Sequence, residues 1–104
     1  MKFSRILLSC TLALGLSVAQ AGAEPMKLNL VSGPVTGGWY VGMGVVGKII
    51  STAYPDTEIT MLPGAATVNP IRLDRGQADI GILQIAMGSV ARTGEAPFRA
   101  PVKN

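Results

Sequence analysis

The period of apolar and polar positions changes several times along the chain, and each change marks an element. Ile6 to Ala19 is a mostly apolar stretch. Lys27-Leu28-Asn29-Leu30-Val31 alternates and then gains a second apolar residue, which predicts a strand closed by Ser32-Gly33-Pro34. A glycine-rich loop, Gly33 to Gly38, follows. From Trp39 the apolar residues Trp39, Met43, Val46, Ile50 and Ala53 fall at helical spacing, with Val41, Val45 and Ile49 on the other side. A helix apolar nearly all round is expected to be buried on more than one face. Gly42, Gly44 and Gly47 weaken it by roughly 1 kcal/mol each relative to alanine, so they are read as packing residues. Tyr54-Pro55-Asp56 ends it.

Glu58-Ile59-Thr60-Met61-Leu62 predicts a second strand, closed by Pro63-Gly64. Thr67 is placed to cap a short helix, with Pro70 at its third position and Gly76 as its stop. Asp79-Ile80-Gly81-Ile82-Leu83 predicts a third strand, nearly all apolar and so expected at the centre of the sheet. Met87, Val90 and Ala91 mark a third helix, with Arg92 near its end and Gly94 beyond it. Glu95 to Asn104 reads as irregular. The order β-α-β-α-β-α predicts an α/β fold, a parallel sheet with helices on its faces and all strand carboxyl ends on one edge.

Composition changes the picture in two places. The 104 residues carry a formal charge of +3 and a mean hydropathy of +0.40. That is high for a small soluble domain, and residues 1–23 account for part of it. Lys2 and Arg5, the apolar stretch, and the overlapping small-residue sites Ala19-Gln20-Ala21 and Ala21-Gly22-Ala23 read as a secretory signal peptide. The stretch is shorter than the roughly 18–20 residues that span a bilayer. Cys10 lies too close to Arg5 for a lipidation signal and is read as an apolar signal residue. Cleavage after Ala21 or Ala23 predicts an exported protein. Without the first 23 residues, seven basic and six acidic residues remain, scattered along the chain. Nucleic acid is therefore not expected as a partner. The chain has no histidine and one cysteine, which excludes a Cys/His zinc site, an internal disulfide and Ser–His or Cys–His catalysis. No cofactor, metal or catalytic residue is expected.

Ligands of open parallel sheets bind beyond the carboxyl ends of the strands. Three loops are expected to converge there, Gly33 to Tyr40, Pro63 to Asn69 and Gln84 to Met87, each leading into a helix N-terminus that favours an anion. The candidate ligand-binding residues are Thr36, Gly37, Gly38, Trp39, Tyr40, Thr67, Asn69 and Gln84. The layout is that of a carboxylate or phosphate binder without a nucleophile–base pair. Each candidate has a plainer role beside it. One of Trp39 and Tyr40 is a core residue, Thr67 is an N-cap, and Asn69 fixes its loop. Gln84, at the end of a strand, is the strongest polar candidate. Asp79 is expected to hold a turn, and Arg72 and Arg75 to form a solvated face. Gly42-Met43-Gly44-Val45-Val46-Gly47 matches the dinucleotide pattern GxGxxG, but lies inside the helix rather than directly after the strand, so it is not read as a nucleotide site.

Four motifs in order resemble the TAXI family, the solute receptors of TRAP transporters. Thr36, Gly37, Trp39 and Tyr40 match the family's Thr-Gly-x-aromatic-aromatic turn after the first strand. Pro63-Gly64-Ala65-Ala66-Thr67-Val68-Asn69-Pro70 resembles its second loop, with Asn69 at the recurrent asparagine. Gly76-Gln77-Ala78-Asp79-Ile80-Gly81-Ile82-Leu83-Gln84 resembles its Gly-Glu-Ala-Asp-hydrophobic-Gly run and following glutamine. Gly94-Glu95-Ala96-Pro97-Phe98 resembles its Gly-x-x-Pro-Phe. Pro34, Val41, Ala65 and Ala66 depart from the family pattern.

The resemblance implies a periplasmic binding protein of the type II fold. Such a receptor captures a small organic acid or amino acid and delivers it to the membrane subunits of a TRAP permease, its one contact with the membrane. A family member has a second lobe, so residues 24–104 are expected to be an incomplete first lobe and the chain a truncated receptor. Two other classes compete: a small exported interaction module that dimerises through an exposed sheet face, without a transport role, and a nucleotide-binding α/β enzyme fragment. The second would need a phosphate loop, and Gly33 to Gly38 lacks the Walker lysine.

Overall fold

The computed structural model describes residues 22–103. The signal peptide expected over residues 1–23 lies, but for Gly22 and Ala23, outside the described residues. Six elements follow in alternation: β1 (Met26–Val31), α1 (Gly38–Ala53), β2 (Thr57–Leu62), α2 (Val68–Asp74), β3 (Ile80–Gly81) and α3 (Ile85–Thr93). The strands form a parallel sheet in the order β2-β1-β3. The fold is α/β, as the alternation of periods predicts. No helix among the described residues is long and apolar enough to cross a membrane.

The spatial order corrects one expectation. The central strand is β1, and the more apolar β3 lies at an edge. Leu30 and Val31 of β1 are fully buried, and they point to opposite faces of the sheet. On one face, Leu30 packs with Ile59 and Met61 against Gly47 of α1, whose absent Cβ would lie 3.1 Å from Ile59 Cγ2. On the other, Val31 and Gly81 meet Leu73 of α2. Helices thus cover both faces. β3 has two residues in regular pairing, but Asp79 N and Ile82 N donate to Asn29 O and Val31 O and extend the ladder at both ends. Asp79 Oδ2 also accepts from Asn29 N at 2.7 Å. The carboxylate expected to hold a turn therefore clamps β3 onto β1.

α1 corrects a second expectation. Met43 and Gly47 are its buried residues, whereas Val41, Val45, Val46 and Ile49 are exposed. A single buried stripe holds the helix to the sheet. Of its glycines, Gly47 is a packing residue, while a Cβ at Gly42 or Gly44 would meet nothing within 4 Å. The dinucleotide-like run lies in the body of α1, as its spacing indicates.

Two helix stops are where the sequence places them. Gly76 and Gly94 both have positive φ (66° and 75°), the left-handed conformation that glycine adopts without a Cβ clash. Residues 95–103 contain no helix or strand, but they are docked. Val102 N donates to Ala91 O, Lys103 N donates to Asp74 Oδ1, and Phe98 is buried.

Candidate functional site

The parallel strands bring three loops together at their carboxyl ends. Ser32 N donates to Leu62 O and Gly64 N to Gly33 O, so the first and second loops leave the sheet side by side. Asn69 then links all three. Its Nδ2 donates to Ser32 O and to Ile82 O, each at 2.7 Å, and its Oδ1 accepts from Ala65 N at 3.1 Å. The side chain is 1% exposed. Both donors of the amide are thus engaged by backbone carbonyls, and the oxygen serves its own loop. This is the loop-fixing role, and it sets the geometry of the site from beneath.

Gly64 makes that link possible. A Cβ there would lie 2.6 Å from Ser32 O and 2.8 Å from Val31 Cγ2, and would overlap Asn69 Oδ1. Arg72 adds a brace, its Nη1 donating to Pro63 O at 2.6 Å. It was expected on a solvated face; it instead ties α2 to the end of β2, while Arg75 is exposed.

Between the loops lies a cavity of about 100 Å³. The first loop contributes Ser32, Gly33, Pro34 and Trp39, the second Ala65, Ala66 and Asn69, and the third Ile82, Leu83 and Gln84. The first two expected loops and Gln84 of the third therefore converge, while Ile82 and Leu83, expected within the third strand, line the cavity beyond its end at Gly81. Trp39, at the start of α1, is 56% exposed and packs its Cβ over Gly33. It forms a wall, while Met43 further along the helix is the core residue. Gln84 is exposed at the N-cap position of α3 and its side chain makes no cap bond.

Of the eight residues singled out from the sequence, Trp39, Asn69 and Gln84 line this cavity; Thr36, Gly37, Gly38, Tyr40 and Thr67 do not. Gly37 instead closes a turn, its N–H donating to Pro34 O, and its carbonyl accepts from Tyr40 N and Val41 N. Thr67 stands at the N-cap position of α2 but makes no side-chain cap bond, and its φ of −86° and ψ of −23° are already helical rather than extended. Sequence reading missed Ser32 as a lining residue. Its position at the last residue before the glycine loop, where a strand ends at the ligand edge, is the signal that could have found it.

No charged side chain contributes to the lining of the cavity, and none of its lining residues is ionisable. The N–H groups of Gly38 and Trp39 at the start of α1, and of Ile85, Ala86 and Met87 at the start of α3, have no acceptor among the described residues. Each helix start carries the positive end of a macrodipole. The seven-residue α2 differs, because the N–H groups of Val68 and Asn69 both donate to Ala65 O. Two of the three expected anion-favouring helix starts are therefore open. Ser32 adds an unusual group: it is 1% exposed, and its Oγ has no hydrogen-bond partner among the described residues. No cluster of three or more His, Cys, Asp or Glu side chains that could hold a metal is found among the described residues.

Comparison with protein-family models, curated proteins and solved structures finds no match to this chain.

Proposed function

We propose that the protein is an extracytoplasmic solute receptor, a binder rather than an enzyme, that captures a small organic acid or amino acid for a TRAP-type permease. The observation that carries this reading is the convergence of three strand-end loops on one cavity flanked by the open starts of α1 and α3. Unpaired helix N–H groups at such an edge favour a carboxylate. The four motifs that resemble the TAXI receptors supply the transport role, the permease partner and the periplasmic location. In this reading residues 24–104 belong to the first lobe of a larger binding unit. Isothermal titration of the purified protein with monocarboxylates, dicarboxylates, oxo acids and amino acids tests it. Saturable heat with at least one acid is expected; no heat across all four classes refutes capture of an acid by this chain.

A second reading rests on a different observation. Val41, Val45 and Ile49 recur at intervals of four on the exposed side of α1, the spacing of a helix-docking stripe. Because helices cover both faces of the sheet, an exported interaction module would use that stripe and not the sheet face expected from the sequence. A specific dimer in sedimentation equilibrium, with no acid bound, favours it.

A further inference from the structure

The part of the lining that this chain supplies bears on the body of the ligand as well as on its head. Pro34, Trp39, Ala65, Ala66, Ile82 and Leu83 present hydrocarbon. No lysine or arginine stands among the lining residues to pair with a second carboxylate, and no aspartate or glutamate to pair with an ammonium group. A charge on the body of a seated ligand would lose water without gaining a partner. The head is treated differently. Ser32 Oγ, buried and unpartnered, is a hydroxyl whose hydrogen lacks an acceptor among the described residues, and such groups are rare enough in folded proteins to need an explanation. Of the open N–H groups at the starts of α1 and α3, that of Trp39 belongs to a residue lining the same cavity, and that of Ile85 follows the lining residue Gln84. A carboxylate supplies the acceptor that these donors lack.

We propose that the cavity takes a short monocarboxylic acid with an uncharged hydrocarbon body, its carboxylate accepting a hydrogen bond from Ser32 Oγ and its body lying against Trp39, Ile82 and Leu83. The inference rests on the receptor reading and narrows it: dicarboxylates and amino acids are poor occupants, and Ser32 is a specificity-determining contact that no motif singled out.

Trp39 is the chain's one tryptophan, so its emission reports occupancy directly. The test titrates the purified protein with 3-methylbutanoate, succinate and L-aspartate, each as its sodium salt at constant ionic strength. Saturable change with 3-methylbutanoate is expected, with succinate and L-aspartate at least tenfold weaker. Ser32→Ala should weaken 3-methylbutanoate by about tenfold to a hundredfold, the range for a hydrogen bond to a charged acceptor. It should not lower the melting temperature, because the hydroxyl it removes has no partner in the fold; the melt thus shows that the variant is folded. Tighter binding of succinate or L-aspartate overturns the hydrocarbon-body assignment and leaves the receptor reading standing. Unchanged 3-methylbutanoate affinity in Ser32→Ala overturns the role of Ser32. No response to any of the three overturns this inference, and calorimetry across the wider acid panel then decides the receptor reading separately.

Discussion

Asn69 Nδ2 donates to the carbonyl oxygen of Ser32, 37 positions earlier in the chain, at 2.7 Å. The same nitrogen donates to Ile82 O, and Oδ1 holds Ala65 N. One buried amide thereby fixes the relative positions of the three loops that bound the cavity. Asn69→Ala leaves two carbonyls and one N–H without partners in a buried setting, at a cost of about 2–4 kcal/mol. Asn69→Asp costs at least as much, since a carboxylate offers no donor to two carbonyl oxygens. Urea denaturation checks both. A loss below about 0.5 kcal/mol in Asn69→Ala would mean that the loops hold together without it.

Gly64→Ala tests the same junction from the other side. The added methyl has no space between Ser32 O, Val31 Cγ2 and Asn69 Oδ1. The backbone must shift, and overpacking of this kind costs about 1–3 kcal/mol. The expected result is a lower urea midpoint together with an altered Trp39 emission, because Gly33, bonded to Gly64 N through its carbonyl, lies under Trp39.

The glycines of α1 separate by position. Gly42→Ala adds a methyl in open space within a helix and should raise stability by about 1 kcal/mol through helix propensity alone. Gly47→Ala brings a methyl to 3.1 Å from Ile59 Cγ2 and 3.5 Å from Leu30 Cδ2, so its propensity gain is offset by the displaced sheet contact and its melting temperature should lie below that of Gly42→Ala. Equal stabilisation by both would mean that α1 does not pack closely on β1 and β2.

The outer side of α1 carries a further expectation. Val45 and Ile49 are exposed, so Val45→Lys with Ile49→Lys should change folding stability by less than about 0.5 kcal/mol each. A much larger loss in chemical denaturation would show that this side is packed.

The elements were legible in the sequence because each announces itself locally. The alternation through Leu28 and Leu30 marks β1, Gly76 and Gly94 stop α2 and α3, and the Pro63-Gly64 pair closes β2. The order of strands was not legible. β3 is apolar on both sides of Gly81, yet it lies at an edge, while β1, with Lys27 and Asn29, is central. Lys27 can sit there because it lies at the open start of the strand, 3.6 Å from Glu58 across the pair with both side chains exposed. Burial rises only towards Leu30 and Val31. The site was legible as a place and less so as a set of residues. Convergence of the loops follows from parallel topology, but which side chains turn inward depends on long-range bonds. Asn69 reaches Ser32 and Ile82, and Arg72 reaches Pro63, across distances that no local period encodes. For the same reason, the burial of Phe98 and the docking of residues 95–103 are not legible.

The most direct test of the central claim, that this edge of the sheet is a solute site, is the backbone amide NMR spectrum of the purified protein titrated with small organic acids. Saturable shifts are predicted at Ser32, Gly33, Ala66, Leu83 and Gln84 and at the open N–H groups of Trp39 and Ala86, with the outer side of α1 unchanged. Shifts confined to Val41, Val45 and Ile49, or none at the three loops with any acid, would contradict it.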